Sequence, residues 1–183
     1  IDSCGNITTC LQKITVQDTT RPVIICPKDT TINCNTPTDT MTLGKATATD
    51  NCTNVVTTIY KTDMIESGSC ADNIIIRRTW TAIDSCGNIT TCEQKITVQD
   101  TTRPVIFCPK DTTINCNTPT DTVTLGKAIA TDNCTDVVTT IYKTDVIEMG
   151  SCADNFIINR TWTAIDSCGN ITTCEQTITV QDT

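Results

Sequence analysis

Apolar positions along the chain come in short runs, each stopped by turn-forming residues. In residues 20–100 the runs fall at 22–26, 30–34, 41–49, 55–61, 74–82 and 90–99. They stop at Pro27, at Asn35-Thr36-Pro37, at Asp50-Asn51 and at Asp84-Ser85-Cys86-Gly87-Asn88. Asp, Asn, Gly and Pro close turns through side-chain hydrogen bonds or fixed backbone angles. No long window keeps a 3.6-residue period, so helices are not expected. Short strands at a spacing of about 8–12 residues predict an all-β sandwich. Side chains alternate across a strand. Ile74, Ile76, Trp80 and Ala82 are therefore expected to face inward with Ile96 and Val98. Arg78 falls in the same phase and has no partner that the sequence identifies.

The same pattern returns along the chain. Ile-Asp-Ser-Cys-Gly-Asn-Ile-Thr-Thr-Cys starts at Ile1, Ile83 and Ile165, a period of 82 residues. Residues 1–82 and 83–164 differ at only nine positions, among them Ile25/Phe107, Met41/Val123 and Arg77/Asn159. A unit of this size is a small domain rather than a solenoid turn. With the joint at Gln-Asp-Thr-Thr-Arg-Pro, residues 20–100 and 102–182 are complete units. Residues 1–18 then match the C-terminal strand of a truncated preceding unit. Such a strand cannot stand alone. The expectation is that the natural chain continues before Ile1, or that another molecule completes the sandwich. Pro22 and Pro104 suit the boundaries. Positions that change polar type between copies, Arg77/Asn159 and Lys95/Thr177, are expected to face water.

Composition narrows the function. The 183 residues include 42 Thr and no His. Imidazole chemistry and imidazole metal sites are therefore absent. A net charge of −8 offers no basic surface for nucleic acid. No apolar run approaches the ~18 residues of a membrane span. The six Ser residues have no His partner, so nothing points to an enzyme.

Six Cys fall in each complete unit: Cys26, Cys34, Cys52, Cys70, Cys86 and Cys92, then Cys108, Cys116, Cys134, Cys152, Cys168 and Cys174. No Cys-x2-Cys clusters suit zinc, and a small aromatic-poor domain gains from cross-links. Disulfides at all twelve are expected, which implies an oxidising, extracellular setting. With the N-terminus entering at the top of the sandwich, Cys34 and Cys70 lie at the lower end, and Cys52 and Cys86 at the upper. Pairs Cys26–Cys92, Cys34–Cys70 and Cys52–Cys86 then fit the usual Cα spacing, and so do their counterparts Cys108–Cys174, Cys116–Cys152 and Cys134–Cys168 in the second unit. A purely local set, Cys26–Cys34, Cys52–Cys70 and Cys86–Cys92, is the rival. The first scheme leaves Cys4 and Cys10 without partners in residues 20–183.

Several segments together resemble a known family. They are Val23-Ile24-Ile25-Cys26-Pro27, Ala48-Thr49-Asp50-Asn51-Cys52, the run from Thr79 to Asn88, and the run from Thr97 to Pro104. The unit resembles the hyalin repeat (HYR), most closely the HYR-like repeats of long bacterial surface proteins such as adhesins of gliding Bacteroidetes. The resemblance implies tandem immunoglobulin-like β-sandwiches, a location outside the cell or on its surface, and a role in adhesion or filament building. It also supports the pairs Cys26–Cys92 and Cys108–Cys174, and it brings no catalytic residues. The expected function is a disulfide-stapled spacer or shaft in a surface filament or adhesin stalk. The expected partners are further copies of the repeat in the same chain and neighbouring filament subunits. The alternative is a ligand- or glycan-binding adhesion domain with calcium-stiffened joints.

Carboxylates cluster at the expected upper ends. Asp18, Asp50 and Asp84 belong to the first unit, and Asp100, Asp132 and Asp166 to the second. Hard oxygen ligands from three loops suit calcium, the one cofactor the sequence points to. The same residues equally suit turn capping. Glycosylation candidates are the Thr residues after Asp (Thr19, Thr30, Thr40, Thr101, Thr112 and Thr122) and the Asn-x-Thr sites Asn88 and Asn170.

Overall fold

The computed structural model describes residues 1–52, 58–134, 140–152 and 154–182, with the side chains of residues 58 and 140 left aside. The first unit holds β1 (Val23–Ile25), β2 (Thr30–Asn33), a single helical turn α1 (Thr40–Leu43), β3 (Thr47–Thr49), β4 (Thr58–Ser67), β5 (Ile74–Ile83) and β6 (Ile89–Gln99). The second repeats it as β7 (Val105–Phe107), β8 (Thr112–Asn115), α2 (Thr122–Leu125), β9 (Ile129–Thr131), β10 (Thr140–Met149), β11 (Phe156–Ile165) and β12 (Ile171–Gln181). Each unit is a four-stranded sheet, in the order β2-β6-β5-β4 or β8-β12-β11-β10, with a two-stranded ribbon, β1-β3 or β7-β9. The fold is all-β, a tandem sandwich.

Long antiparallel pairing sets the frame. β5 pairs with β4 over ten residues and with β6 over ten, bringing Trp80 opposite Cys92. β2 joins the other edge of β6 in parallel, Thr30 opposite Ile96. Alternation then buries Ile76, Trp80, Ala82, Ile96 and Val98, while Ile74 packs half-buried against them. The aliphatic cluster is small, so the sheets need a further tie. The Cys26–Cys92 bridge supplies it, joining the end of β1 to β6 at a Cα separation of 6.0 Å; Cys108–Cys174 does the same in the second unit.

Arg78 is where the inward phase meets a charge. It is 1% exposed. Its guanidinium donates to both oxygens of Asp63 at 2.9 and 3.1 Å and to the Thr38 carbonyl at 2.7 Å. Arg160 repeats this with Asp145 and Thr120. The arginine thus ties the edge strand to the loop before α1. Its hydrogen bond holds the Asp63 carboxyl below the usual range. Arg77 bonds Glu66 and Glu93 at the surface.

Two expected elements differ. The run at 41–49 is a helical turn followed by a short strand. The Asp39 carboxylate accepts from the Met41 and Thr42 amides at 2.7 and 2.9 Å and nucleates α1. Gly44 ends the turn at φ +88°, open to glycine but strained for other residues. The strand expected at 55–61 starts at Thr58 and runs on to Ser67, because β5 offers ladder partners along its full length. Its residues 55–57 lie outside the described residues. Residues 1–18 carry no strand. Asp2 closes a turn with the Asn6 amide at 2.8 Å, as Asp84 and Asp166 do with Asn88 and Asn170. Residues 7–17, closely matching β6 in sequence, lie exposed.

Replacing Arg78 or Arg160 by Ala should lower unfolding free energy by about 3 kcal/mol, the low end for breaking a buried pair because Asp63 and Asp145 keep some water contact. Urea unfolding at pH 7 measures it. Because the Asp63 carboxyl titrates below its unfolded value, the difference should shrink as pH falls through the acid range.

Candidate functional site at the joint between units

The lower end of the first unit carries two Cys. Cys34 follows β2, with its amide on the Gln99 carbonyl at 3.1 Å. Cys70 sits in the turn between β4 and β5, closed by the Asn73 amide on the Cys70 carbonyl at 3.2 Å. The upper end of the second unit carries two more. Cys134 follows β9, its amide on Asp132 Oδ1 at 3.1 Å. Cys168 lies in the turn after β11, its amide on Asp166 Oδ1 at 2.8 Å. The linker from Asp100 to Pro104 is five residues long and brings these ends face to face. Cys34 bonds Cys134 and Cys70 bonds Cys168, at Cα separations of 5.5 and 5.1 Å.

This corrects the expected pairs Cys34–Cys70 and Cys134–Cys168. Cys34 and Cys70 do share the lower end and Cys134 and Cys168 the upper end, but no bridge closes either end on itself. The bridges instead run across, from one unit's lower face to the next unit's upper face. Cys52, Cys86, Cys116 and Cys152, expected in bridges, are unbonded. Cys52 and Cys86 lie at the upper end of the first unit, and Cys116 and Cys152 at the lower end of the second. Cys4 and Cys10 are unbonded as well. Loss of water around sulfur, then nearby carboxylates, raises the thiols of Cys52 (beside Asp18) and Cys116 (beside Asp182).

Polar contacts complete the joint. Asn133 donates to Asn33 Oδ1 at 3.3 Å, and Asn33 donates to Thr102 Oγ1 at 3.0 Å. The Ser167 hydroxyl donates to Asp72. Asp100 belongs to both faces: its amide donates to Asn73 Oδ1 at 2.7 Å, and its carbonyl accepts from Asn170 Nδ2 at 3.4 Å.

Asp100, Asp132 and Asp166 converge, each with a carboxylate oxygen within 4.8 Å of the others. Capping accounts for part of their bonding. Asp166 accepts from the Cys168 and Asn170 amides and from Asn170 Nδ2. Asp100 Oδ1 accepts from the Thr102 amide at 3.0 Å. Yet Asp100 Oδ2 and Asp132 Oδ2 are buried without a partner, and Asp100 is 5% exposed. Burial, then the charges of Asp132, Asp166 and Asp72, push the Asp100 carboxyl up. At the upper end of the first unit, Asp18 and Asp50 come together with the Cys52 thiol, and Asp50 Oδ1 is likewise unpartnered. Asp84 is turned into its own loop, on the Cys86 and Asn88 amides.

The glycosylation candidates divide. Asn88 and Asn170 spend their amides on Asp84 and Asp166 within these loops. Thr19 and Thr101 are exposed, while Thr30, Thr40, Thr112 and Thr122 are half-buried.

Fold and joint together define a tandem, disulfide-stapled, all-β repeat protein. No family model matches the sequence, and no curated protein does. Among solved structures it is similar to cadherin-type extracellular repeats. Drosophila N-cadherin EC1-4 aligns with 14% identity and a TM-score of 0.36, over 89% of this chain and 50% of that one. Protocadherin gamma C5 EC1-3 aligns with 13% identity and a TM-score of 0.34, over 87% and 68%. The protocadherin gammaB7 EC3-6 cis-dimer structure aligns with 14% and 0.34, over 88% and 51%. The chain thus spans about half the length of two of these.

Copy-specific residues make the pairing directly readable. Tryptic peptides of Cys34 and Cys116 differ by Met41/Val123, and those of Cys52 and Cys134 by Thr47/Ile129. A non-reducing digest should give Cys34 joined to Cys134, and Cys70 joined to Cys168. Recovery of Cys34 joined to Cys70 would remove the stapled joint.

Proposed function

We propose that the chain is a stretch of shaft from an extracellular surface filament or adhesin stalk, in which each 82-residue unit is a covalently stapled spacer. The observation that carries this reading is the pair of bridges across the joint. One bridge would leave an axis for rotation; two separate bridges and a short linker hold the units in one relation. Each crosslink also shrinks the unfolded ensemble, by about 2–4 kcal/mol in typical cases. A stalk working outside the cell, where disulfides persist, gains both stiffness and durability. The resemblance to HYR-like surface repeats supports the same location and role.

Calcium is the proposed further component of the joint. Asp100, Asp132 and Asp166 would hold it, with the unpartnered oxygens of Asp100 and Asp132 as ligands and water completing a shell of six to eight oxygens. Charge supports this: ionised carboxylates gathered out of water repel each other, and a divalent cation turns repulsion into attraction. Asp18 and Asp50 form the corresponding start of a site at the first unit's upper end, with Asp84 as the third member once the face is covered.

Asp100→Asn separates cation binding from capping, since the Asn oxygen still accepts from Thr102. In chelator the variant should melt higher than the parent, because a raised carboxyl costs stability as pH climbs through its titration. In excess calcium it should melt lower. The parent should gain about 2.7 kcal/mol at a calcium concentration a hundred times Kd. Parallel shifts of both proteins, or none, would leave the aspartates as turn caps only. Small-angle scattering from a four-unit chain tests the shaft itself: the expected particle lengthens with each unit, whereas a compact globule would overturn the reading.

A further inference from the structure

The two ends of the chain repeat the two sides of its joint. The lower face in the joint is built from Asn33, Cys34, Cys70, Asp72 and Asn73; shifted by one 82-residue period these are Asn115, Cys116, Cys152, Asp154 and Asn155. The upper face in the joint is built around Asp132, Asn133, Cys134, Asp166 and Cys168; shifted back they are Asp50, Asn51, Cys52, Asp84 and Cys86. None of the positions that differ between copies falls on either face.

The faces are also held in joint form without their partners. The Asp182 amide donates to Asn155 Oδ1 at 2.8 Å, as the Asp100 amide does to Asn73 Oδ1 at 2.7 Å. The Asp18 carbonyl accepts from Asn88 Nδ2 at 3.4 Å, as the Asp100 carbonyl does from Asn170 Nδ2 at 3.4 Å. The Cys116 amide holds the Gln181 carbonyl as the Cys34 amide holds that of Gln99. All four Cys at these ends are exposed residues outside any bridge.

We propose that a second copy of this chain docks head to tail, the Cys116/Cys152 face of one copy on the Cys52/Cys86 face of the next, and that Cys116–Cys52 and Cys152–Cys86 bridges then seal the contact. The occupant is already seen: the joint inside the chain is this contact made once. One aspartate serves both sides of that joint, so Asp182 of the incoming copy takes the place of Asp18. Residues 1–17 are exposed and leave without loss of core packing. Each bridge takes two electrons and two protons from one thiol pair. A small-molecule disulfide is the oxidant: it forms a mixed disulfide with one Cys, releasing one thiol, and the facing thiolate then displaces the second.

The inference rests on the stapled joint but not on the cation. The full chain is reduced, then reoxidised at high concentration in a glutathione redox buffer, with chelator present. The expected result is a ladder of oligomers on a non-reducing gel, with Cys116–Cys52 and Cys152–Cys86 peptides in the dimer band. Direction is tested with two variants. With Cys4 and Cys10 also replaced by Ser in both, C116S/C152S keeps only the head and C52S/C86S only the tail. Alone each should stay monomeric, and mixed they should give dimers and nothing larger. Digests showing Cys34–Cys134 and Cys70–Cys168 in both variants establish that they fold. A monomeric parent with Cys52–Cys86 and Cys116–Cys152 closed within the chain would overturn the docking while leaving the joint intact. So would dimers from either variant alone. Absence of Cys34–Cys134 itself would overturn the joint, and both readings with it.

Discussion

Scarcity of apolar surface governs this chain. Each unit has one Trp, and around its aliphatic cluster of three buried residues only a few half-buried side chains pack. A domain of about 80 residues is marginal on burial alone. What the core lacks is made up by directed interactions. Cys26–Cys92 ties ribbon to sheet. Arg78 spends three hydrogen bonds on the edge strand and a loop carbonyl. Gln94, fully buried, donates to the Lys28 and Leu43 carbonyls at 3.1 and 3.0 Å. Such contacts are specific in position, which suits a unit that must present the same two end faces in every copy.

The same scarcity explains the joint. Two small units cannot hold each other by an apolar interface, and their facing loops bring together carboxylates rather than hydrocarbon. Without cross-links the buried charge would drive the faces apart. The bridges oppose that repulsion covalently, and the proposed calcium opposes it electrostatically. Disulfides hold under chelation, while a cation site responds to its surroundings. With calcium bound as proposed, the joint would have one fixed component and one adjustable component side by side, since Asp100 lies within 4.8 Å of bridging sulfurs.

Much of the fold was legible because its signals are local. Alternation in 74–82 and 90–99 marked the buried face, and turn residues marked the strand ends. The misread run at 41–49 shows the limit: β-branched and apolar residues argued for a strand, but one capping aspartate, Asp39, decided for a helical turn. Arg78 had no visible partner because Asp63 lies 15 residues away on a strand whose register only the fold sets. The acidic triad was legible as types at the ends of strands. The bridges were not. Pairing within a unit is the natural first hypothesis for a repeat, and the sequence does distribute two Cys to each end. The signal that could have found the answer was that distribution itself: two pairs at opposite ends suit a neighbour better than they suit each other.

The faces that meet are different, one formed by the β2 end and the β4–β5 turn, the other by the loops after β9 and β11. A contact between unlike faces is heterologous, so using one side leaves the other free. Self-complementary faces would stop at a dimer. Unlike faces repeat until the units run out, and the result is a ring or a line according to the angle between neighbours. The second unit's lower face has the same residues as the first unit's. Near-identity between copies therefore does mechanical work. In the proposed shaft it would make every joint the same joint, so that stiffness set by two bridges in one place would be set equally along the length. That supports a shaft better than a binding head, whose specificity would need one unit to differ from its neighbours.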